Sequence, residues 1–553
     1  MRRKRVLFCS ESTFLNTGYA TYTREILNYL HSTGKYELAE LGAYGHDGDA
    51  RASNIPWQYY GAMPHPDAPK EEHKRYATAP SFQFGEYKFE EVCLRFKPDI
   101  VCDIRDFWML EFEERSPFRD FFKWCIMPTV DARPQARQWV ATYKSADACI
   151  TYSDWAGGVL KDQSGGSINY LGSSPPSAHP AYKPIDDKVS LKKSMGLDPT
   201  CKIIGTVMRN QRRKLYPDLF EAFSKFLSQV HDPEKYFLYC HTSYPDMGWD
   251  IPELLQSNKL ASKVLFTYVC PDTKRYFPSL FKGAVAQSPF TNKLSCGLSS
   301  VKSGLSYEQL AEIINTFDLY TQYANCEVFG LPQVEAAACG IPVCGTDYSA
   351  MESVLRQLDG YPIKPKALYK ELETGCLRAV PDNDAAVKMF LEFFSMPEPM
   401  RKSKGFNTRN KFLQHFQWDK SGKVWEQYFD SVEMMPHEKT WNSPMRQRNP
   451  MPKPAKKDME RVTYGDMSKW LIMNVLCDES KINTFLEDRM TRDLMYGSAT
   501  SSTGGIYCNE SSIAFDGQHN RVEFNFDIAY NNMLQMCHKH NYWESKRMEM
   551  LNS

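Results

Sequence analysis

The sequence carries no net charge: Lys plus Arg and Asp plus Glu each number 67, which gives a pI of about 7.1. No global field therefore draws the chain to nucleic acid or to a membrane surface, and any such contact must come from a local patch. Long apolar runs are missing as well. No stretch approaches the roughly 18 apolar residues that a bilayer-spanning helix needs. The 16 cysteines contain no C-x-x-C pair. Several lie in apolar runs, such as VCDI at Cys102, KWCIM at Cys125 and ACITY at Cys149. Free buried thiols in a reducing compartment are expected. The opening MRRKRVLFCSES has a basic cluster but only a short apolar run, which does not fit a secretory signal. A cytoplasmic location is the expectation. Repeats of solenoid period are absent.

What is present is an ordinary globular composition, 42% hydrophobic and 24% charged, over 553 residues, enough for two or three domains. Arg5 to Cys9 (RVLFC) reads as a buried first strand, followed by the turn Asn16-Thr17-Gly18 and a helix near Ala20 to Leu30. KPDIVCDI, FKWCIMPTVD and ADACITYSD read as further strands. A Gly/Ser/Pro-rich segment at 165–184 reads as the connection to a second half. That half opens with KIIGTV at Lys202 to Val207, then a helix around Pro217 to Val230, then EKYFLYCHT, PELLQSNK and KVLFTYV. Short apolar runs alternating with helical patterns predict parallel β-α-β units. The fold class expected is α/β, with two Rossmann-like domains over 1–190 and 198–430. Their ligand cleft should lie between them at the carboxyl ends of the strands.

Two segments stand outside this pattern. Residues 270–304 read as a long insertion, with Cys270 and Cys296 too few for a zinc site. Residues 431–460 are rich in Pro, Lys and Arg and read as a linker, followed at 461–553 by an extra C-terminal α+β domain of unknown role. CHKH at Cys537 to His540 holds ligand-type residues, but neighbouring side chains on a helix point apart.

The most informative stretch is EVFGLPQVEAAACGIPV, Glu327 to Val343. Pro332 suits the start of a helix, the three alanines sustain it, and Gly340 followed by Pro342 ends it. This places Glu335 in the first helical turn and Glu327 on the loop before it. Amides at such a helix start are ready to meet hydroxyls and phosphate oxygens.

The run resembles the donor site of retaining GT-B glycosyltransferases of family 4, whose pattern E-x-F-G-x-P-x-x-E-A-x-A-x-G-x-P-V is met at every specified position. The resemblance covers about residues 5–430. It implies a GT-B fold whose chain crosses back to the first domain near 416–429, and transfer from a nucleotide-diphosphate sugar, a UDP-sugar first, with retention and no required metal or cofactor. Glu335 is then expected to accept hydrogen bonds from the ribose hydroxyls. Glu327, with the amides of Phe329, Gly330 and Leu331, is expected at the donor sugar. GTVMRNQRRK would supply Arg209 and Lys214 for the diphosphate, a bidentate fork and a point charge. Arg212 and Arg213 read as an exposed basic loop. Gly18 falls where the family has a glycine-rich loop over the diphosphate. The family's first-domain histidine has no counterpart, and Asp106 (in DIRD) or Asp131 (in TVDARP) is expected to line the acceptor side instead. His241 reads as a satisfied histidine.

The acceptor is not written in any motif. A glycan or lipid-linked glycan is the default. The basic clusters Arg2 to Arg5 and Arg446, Arg448, Lys453, Lys456 and Lys457 leave room for modified DNA. A non-catalytic scaffold that binds nucleotide-sugar is the alternative of another class.

Overall fold

Seven parallel strands make the first sheet: β1 (Lys4–Glu11), β2 (Tyr36–His46), β3 (Gln58–Met63), β4 (Ile100–Asp103), β5 (Lys123–Ile126), β6 (Ala148–Thr151) and β7 (Tyr170–Ser173), in the order β3-β2-β1-β4-β5-β6-β7. The computed structural model describes residues 2–300, 304–455, 462–482, 494–496, 507–508, 514–515, 521–522 and 524–553. Parallel strands are covered on both faces, so their sequences run apolar without alternating. In β1, Val6 and Phe8 enter one core with the helix Gly18–Thr33, while Leu7 and Cys9 enter another with Trp124 and the helices Phe89–Phe96 and Phe107–Glu114. The Gly/Ser/Pro-rich connection is thus partly a strand: β7 lies within it.

The second sheet is built on β8 (Lys202–Val207), β9 (Tyr236–His241), β10 (Val264–Val269), β11 (Tyr276–Leu280), β12 (Val285–Gln287), β13 (Leu294–Leu298), β14 (Leu319–Gln322), β15 (Val343–Thr346) and β16 (Tyr361–Ile363). Its parallel part runs β10-β9-β8-β14-β15-β16. The 270–304 insertion is not an irregular loop. It folds into β11, β12 and β13, which extend the sheet antiparallel beyond β10. Val269 pairs with Gly297, and the adjoining Cys270 and Cys296 are both buried, with the Ser288 hydroxyl 3.5 Å from Cys270 Sγ.

After the second sheet comes a hairpin, β17 (Pro365–Lys370) and β18 (Leu377–Pro381). The helix Trp418–Ser431 then returns to the first lobe: Trp425 Nε1 donates to Ser174 Oγ at 3.2 Å, and Tyr29 donates to Glu426 at 2.6 Å. Two Rossmann-like lobes thus face one another, as GT-B enzymes arrange them.

The Pro- and Lys/Arg-rich stretch does not hang free. Trp441 is buried against Phe118 and Phe121, ring centroids 5.4 and 5.0 Å away, and its Nε1 donates to Pro98 O. Arg547, on the final helix Phe526–Asn552, is also buried and donates to the carbonyls of Thr440, Trp441 and Ser443. Composition had marked a linker because the single anchoring tryptophan carries little weight in it. The CHKH pair has a structural use too: Cys537 Sγ lies 3.6 Å from Arg448 O, and His540 Nε2 lies 3.1 Å from Arg446 O. A small separate core of Leu471, Ile472, Val475, Leu476, Ala529, Tyr530 and Met533 marks the C-terminal extension, whose described residues include strand segments at Tyr507–Cys508, Ala514–Phe515 and Arg521–Val522. Among the described residues no helix is long and apolar enough to cross a membrane.

Candidate functional site: a charged crevice between the lobes

The loop after β8 and the loop after β14 meet. Lys214 forms an isolated bridge with Ala324, and Asn325 N donates to Arg213 O at 2.9 Å. This pairing brings three donors onto one buried carboxylate. Lys214 Nζ contacts Glu327 Oε1, Gln322 Nε2 donates to the same oxygen at 2.6 Å, and Arg213 Nη1 donates to Oε2 at 2.6 Å. Burial and the adjacent Arg213 guanidinium push the Lys214 ammonium below its ordinary value. The Glu327 carboxylate acts in the opposite direction.

The backbone of Glu327 is gripped as firmly as its side chain. Its N–H donates to Ser349 Oγ at 3.0 Å, and that hydroxyl donates to Glu327 O at 2.5 Å. Ser349 holds φ 62° and ψ −153°, a conformation that a non-glycine residue adopts only when its surroundings impose it. Sequence gave no sign of this clamp.

The helix Leu331–Ala338 begins one residue after Gly330, whose φ of 84° lies in the left-handed region. A Cβ there would meet Gln333 Nε2 at 2.5 Å. Phe329 is buried with its ring 6.0 Å from Phe416, and Leu331 is half-buried. Because Leu331 opens the helix, Glu335 lies in its second turn, not its first. The dipole of a helix start therefore does little for it. Burial instead lifts its carboxyl to about 7, with the Tyr182 hydroxyl bonded to it pulling the other way.

Arg209 pairs with a different carboxylate. Its guanidinium grips Asp246 through two bonds of 2.8 and 3.0 Å, and this pairing holds the Asp246 carboxyl down at about 2. His241 sits between Thr267 Oγ1 at 2.9 Å and Ser299 Oγ at 3.2 Å, and burial pushes it down to about 4.

From the first lobe, Asp131 reaches across. Its Oδ2 accepts from Arg378 Nη1 at 2.9 Å and lies 3.3 Å from Cys326 Sγ, next to Glu327. Arg378 is the hairpin's contribution; its other nitrogen donates to Glu371 at 2.8 Å. Leu377 N donates to Arg133 O, and Tyr348 OH donates to Leu377 O. Asp106, at the start of the helix Phe107–Glu114, bonds Thr129 and Tyr19. Burial first, then the charge of Asp131, raises its carboxyl to about 6. Gly18 is exposed at the head of its helix, with open space where a Cβ would stand.

Lys214, Glu327 and, through Cys326, Asp131 thus come together, with the charge of Asp131 felt at Asp106 and Glu335 in the second turn of the helix that follows Gly330. The structure adds Arg213, Gln322, Ser349, Arg378 and Tyr182, which no motif pointed to. Arg213 was legible as a cation but not as the partner of Glu327, since that contact depends on the pairing of two loops over a hundred residues apart. Other carboxylates at metal-like spacing are engaged locally: Asp47 accepts from Gly61 N, Asp49 pairs with Arg51, Asp382 caps the helix Asn383–Ser395 and Asp384 pairs with Lys225. The basic clusters are largely taken up within the chain. Arg2 grips Asp99 through two bonds, Arg5 pairs with Glu37, Lys4 donates to Asp430 O, Arg448 faces Asp478 at 3.8 Å and Lys453 pairs with Asp527. Lys456 and Lys457 lie outside the described residues.

Residues 299–401 match the family model described as Glycosyl transferases group 1. No curated protein matches the chain by sequence. Similar solved structures include a sucrose-phosphate synthase from Thermosynechococcus elongatus (16% identity, TM-score 0.55, covering 78% of this chain and 100% of that one). A glycosyltransferase from Rickettsia africae (12%, 0.53, 78% and 98%) and Anabaena HepE in complex with UDP (12%, 0.53, 78% and 100%) are similar as well. At such identities the likeness speaks for the fold. The group 1 domain spans the Glu327–Glu335 segment, and the chain is a glycosyltransferase with the GT-B fold.

Proposed function

We propose that the chain moves a sugar from a nucleoside-diphosphate sugar, a UDP-sugar first, to an acceptor hydroxyl with retention of anomeric configuration. It needs no metal or organic cofactor for this and works in the cytoplasm. The observation that carries the reading is the cluster of Lys214 and Arg213 on Glu327 at the interlobe crevice, beside the left-handed Gly330 turn. A leaving diphosphate gains negative charge as the glycosidic bond breaks, and fixed cations and amides placed there lower that barrier. In this reading Lys214 supplies point charge to the diphosphate, and the amides of Phe329, Gly330 and Leu331 meet the donor with Glu327. Glu335 accepts from the ribose in place of Tyr182, Gly18 lets the first-lobe loop approach, and Asp131 and Asp106 line the acceptor side. The Anabaena relative solved with UDP supports the donor class. The acceptor is a glycan or lipid-linked glycan. Modified DNA is the weaker alternative, since so many of the basic residues are already paired within the chain.

The test is a nucleotide-release screen over UDP-, GDP- and ADP-sugars, followed by labelled transfer to glycan, lipid and hydroxymethylated DNA fractions. Release with one donor and label in the glycan or lipid fraction is the expected result. Label in DNA that falls with added salt would transfer the acceptor assignment to DNA. Nucleotide-sugar binding without release or transfer would leave the non-catalytic scaffold.

A further inference from the structure

The insertion after β10 turns twice, and the two turns are built alike. The first is Cys270-Pro271-Asp272-Thr273-Lys274-Arg275 and the second Ser288-Pro289-Phe290-Thr291-Asn292-Lys293. Each has proline second, threonine fourth and a basic residue sixth. In each, the amide of the first residue donates to the carbonyl of the sixth at 2.8 Å, Cys270 N to Arg275 O and Ser288 N to Lys293 O. The amide of the fifth donates back to the carbonyl of the first at 2.9 Å, Lys274 N to Cys270 O and Asn292 N to Ser288 O. The fifth residue is left-handed both times, with φ 55° at Lys274 and 57° at Asn292. The repeat is one of backbone geometry as well as of sequence.

The two turns face one another. The Ser288 hydroxyl lies 3.5 Å from Cys270 Sγ, the Arg275 guanidinium lies 4.0 Å from the centre of the Phe290 ring, and Lys293 Nζ is 3.9 Å from Asp272. Donors converge on the first side chain of each turn. Phe290 N and Thr291 N donate to Ser288 Oγ at 3.1 and 3.2 Å, and Thr273 bonds the Cys270 sulfur through both its hydroxyl and its amide. Ser288 first, then Thr273, draw the Cys270 thiol down to about 6. Thr291 Oγ1 is buried and has no hydrogen-bond partner among the described residues. The first and fourth positions of the two turns, 270, 273, 288 and 291, follow the spacing of zinc sites made from two C-x-x-C pairs. Zinc bonds of about 2.3 Å to sulfur and about 2.1 Å to oxygen, at the tetrahedral angle, set two ligand atoms about 3.6 Å apart. Cys270 Sγ and Ser288 Oγ keep that separation. The donor set itself does not suit zinc: one thiol and three neutral hydroxyls stand at the four positions, and Cys296, which bonds Cys270 from β13, adds only a second thiol.

We propose that residues 270–293 are a pair of metal-knuckle turns in which hydrogen bonds centred on Cys270, Thr273, Ser288 and Thr291 take the place of a zinc ion, clamping the β11–β13 extension to β10 without metal, and that these four positions accept zinc once all four carry thiols. The clamp bears on the parallel strands as well, because the residue that follows β13, Ser299, bonds His241 at the end of β9.

The test is T273C/S288C/T291C in the full chain, loaded with zinc, or with cobalt as its spectroscopic stand-in. One metal ion per chain is expected, with the cobalt spectrum of tetrahedral thiolate ligation and a melting temperature that rises with metal and falls again with chelator. Adding C296S to this variant should leave the binding as it is, because Cys296 is not one of the four positions. The intact chain should keep no zinc through dialysis, and its melting temperature should not respond to chelator. Zinc held at one per intact chain and lost in C270S would overturn the metal-free clamp. A folded triple variant that binds no cobalt, or binds it octahedrally, would overturn the knuckle geometry. A second measurement needs no new site and decides the matter if the triple variant does not fold. The losses in urea midpoint of C270A and S288A should exceed, when summed, the loss of the double variant, since both break one clamp. Additive losses would sink the proposal.

Discussion

Replacing Glu335 by glutamine should stabilise the protein while destroying its nucleotide site, and the size of the effect follows from one carboxyl. Burial raises Glu335 from the ordinary 4.5 to about 7, and only 8% of the residue is exposed. The folded state therefore binds the proton more tightly than the unfolded chain does. Between the two values the folded state holds a proton that the unfolded state has lost, so stability falls as pH rises through this window. At about 1.4 kcal/mol per pH unit, the carboxylate costs about 1 kcal/mol at a pH near 5 and about 3 kcal/mol at a pH near 8. Glutamine carries no such penalty and can still bond Tyr182. The unfolding free energy of E335Q minus that of the intact chain should therefore grow by about 2 kcal/mol between those two conditions, measured by urea titration. Added UDP should raise the melting temperature of the intact chain and not that of E335Q. A gap between the two proteins that stays flat with pH would refute the buried-carboxyl reasoning. A UDP shift surviving in E335Q would refute the ribose assignment.

Gly330→Ala forces a Cβ to within 2.5 Å of Gln333 Nε2 at a φ of 84°, so it should cost about 1 kcal/mol or more in urea titration and raise KM for the donor. Glu327→Gln removes the carboxylate that Lys214, Arg213 and Gln322 all meet, and kcat should fall on the order of a hundredfold with little change in urea midpoint at a pH near 8. Trp441→Ala empties the site between Phe118 and Phe121. It should cost about 3–5 kcal/mol, seen as a lower melting temperature and as earlier proteolytic cleavage near residue 441. Unchanged proteolysis of W441A would mean that the strap is held by Arg547 without the tryptophan.

The lobes were legible because their strands are. RVLFC, KIIGTV and the motif strand after Gly340 are short, apolar and bounded by turn residues, and parallel strands buried on both faces leave no other pattern. What escaped was structure with a mixed signal. β2 and β3 carry Glu37, Glu40 and Gln58 among their apolar residues; Glu40 is buried because Thr13 and Trp57 bond it, a compensation invisible along the chain. The 270–304 strands have polar faces and one contains Pro278, which sits at a sheet edge where its missing N–H costs nothing. The strap was hidden for a related reason. A stretch of prolines and basic residues is read from its average, and its docking hangs on Trp441 and on carbonyls that only Arg547, about a hundred residues later, satisfies.

At the site itself the same boundary falls between residues a few positions apart. The spacing of Arg209 and Lys214 after a strand is a local property, and it correctly marks the loop that faces Glu327. Which carboxylate each arginine meets is not local, because it depends on where Asp246 stands after β9 and where Glu327 stands after β14. Asp246 is held on both oxygens by the Ser243 hydroxyl and the Met247 amide, and Arg209 pairs with it, a contact that the β8 loop alone does not contain. A spacing rule in a charged loop therefore names the loop with more authority than it names the partner each residue takes.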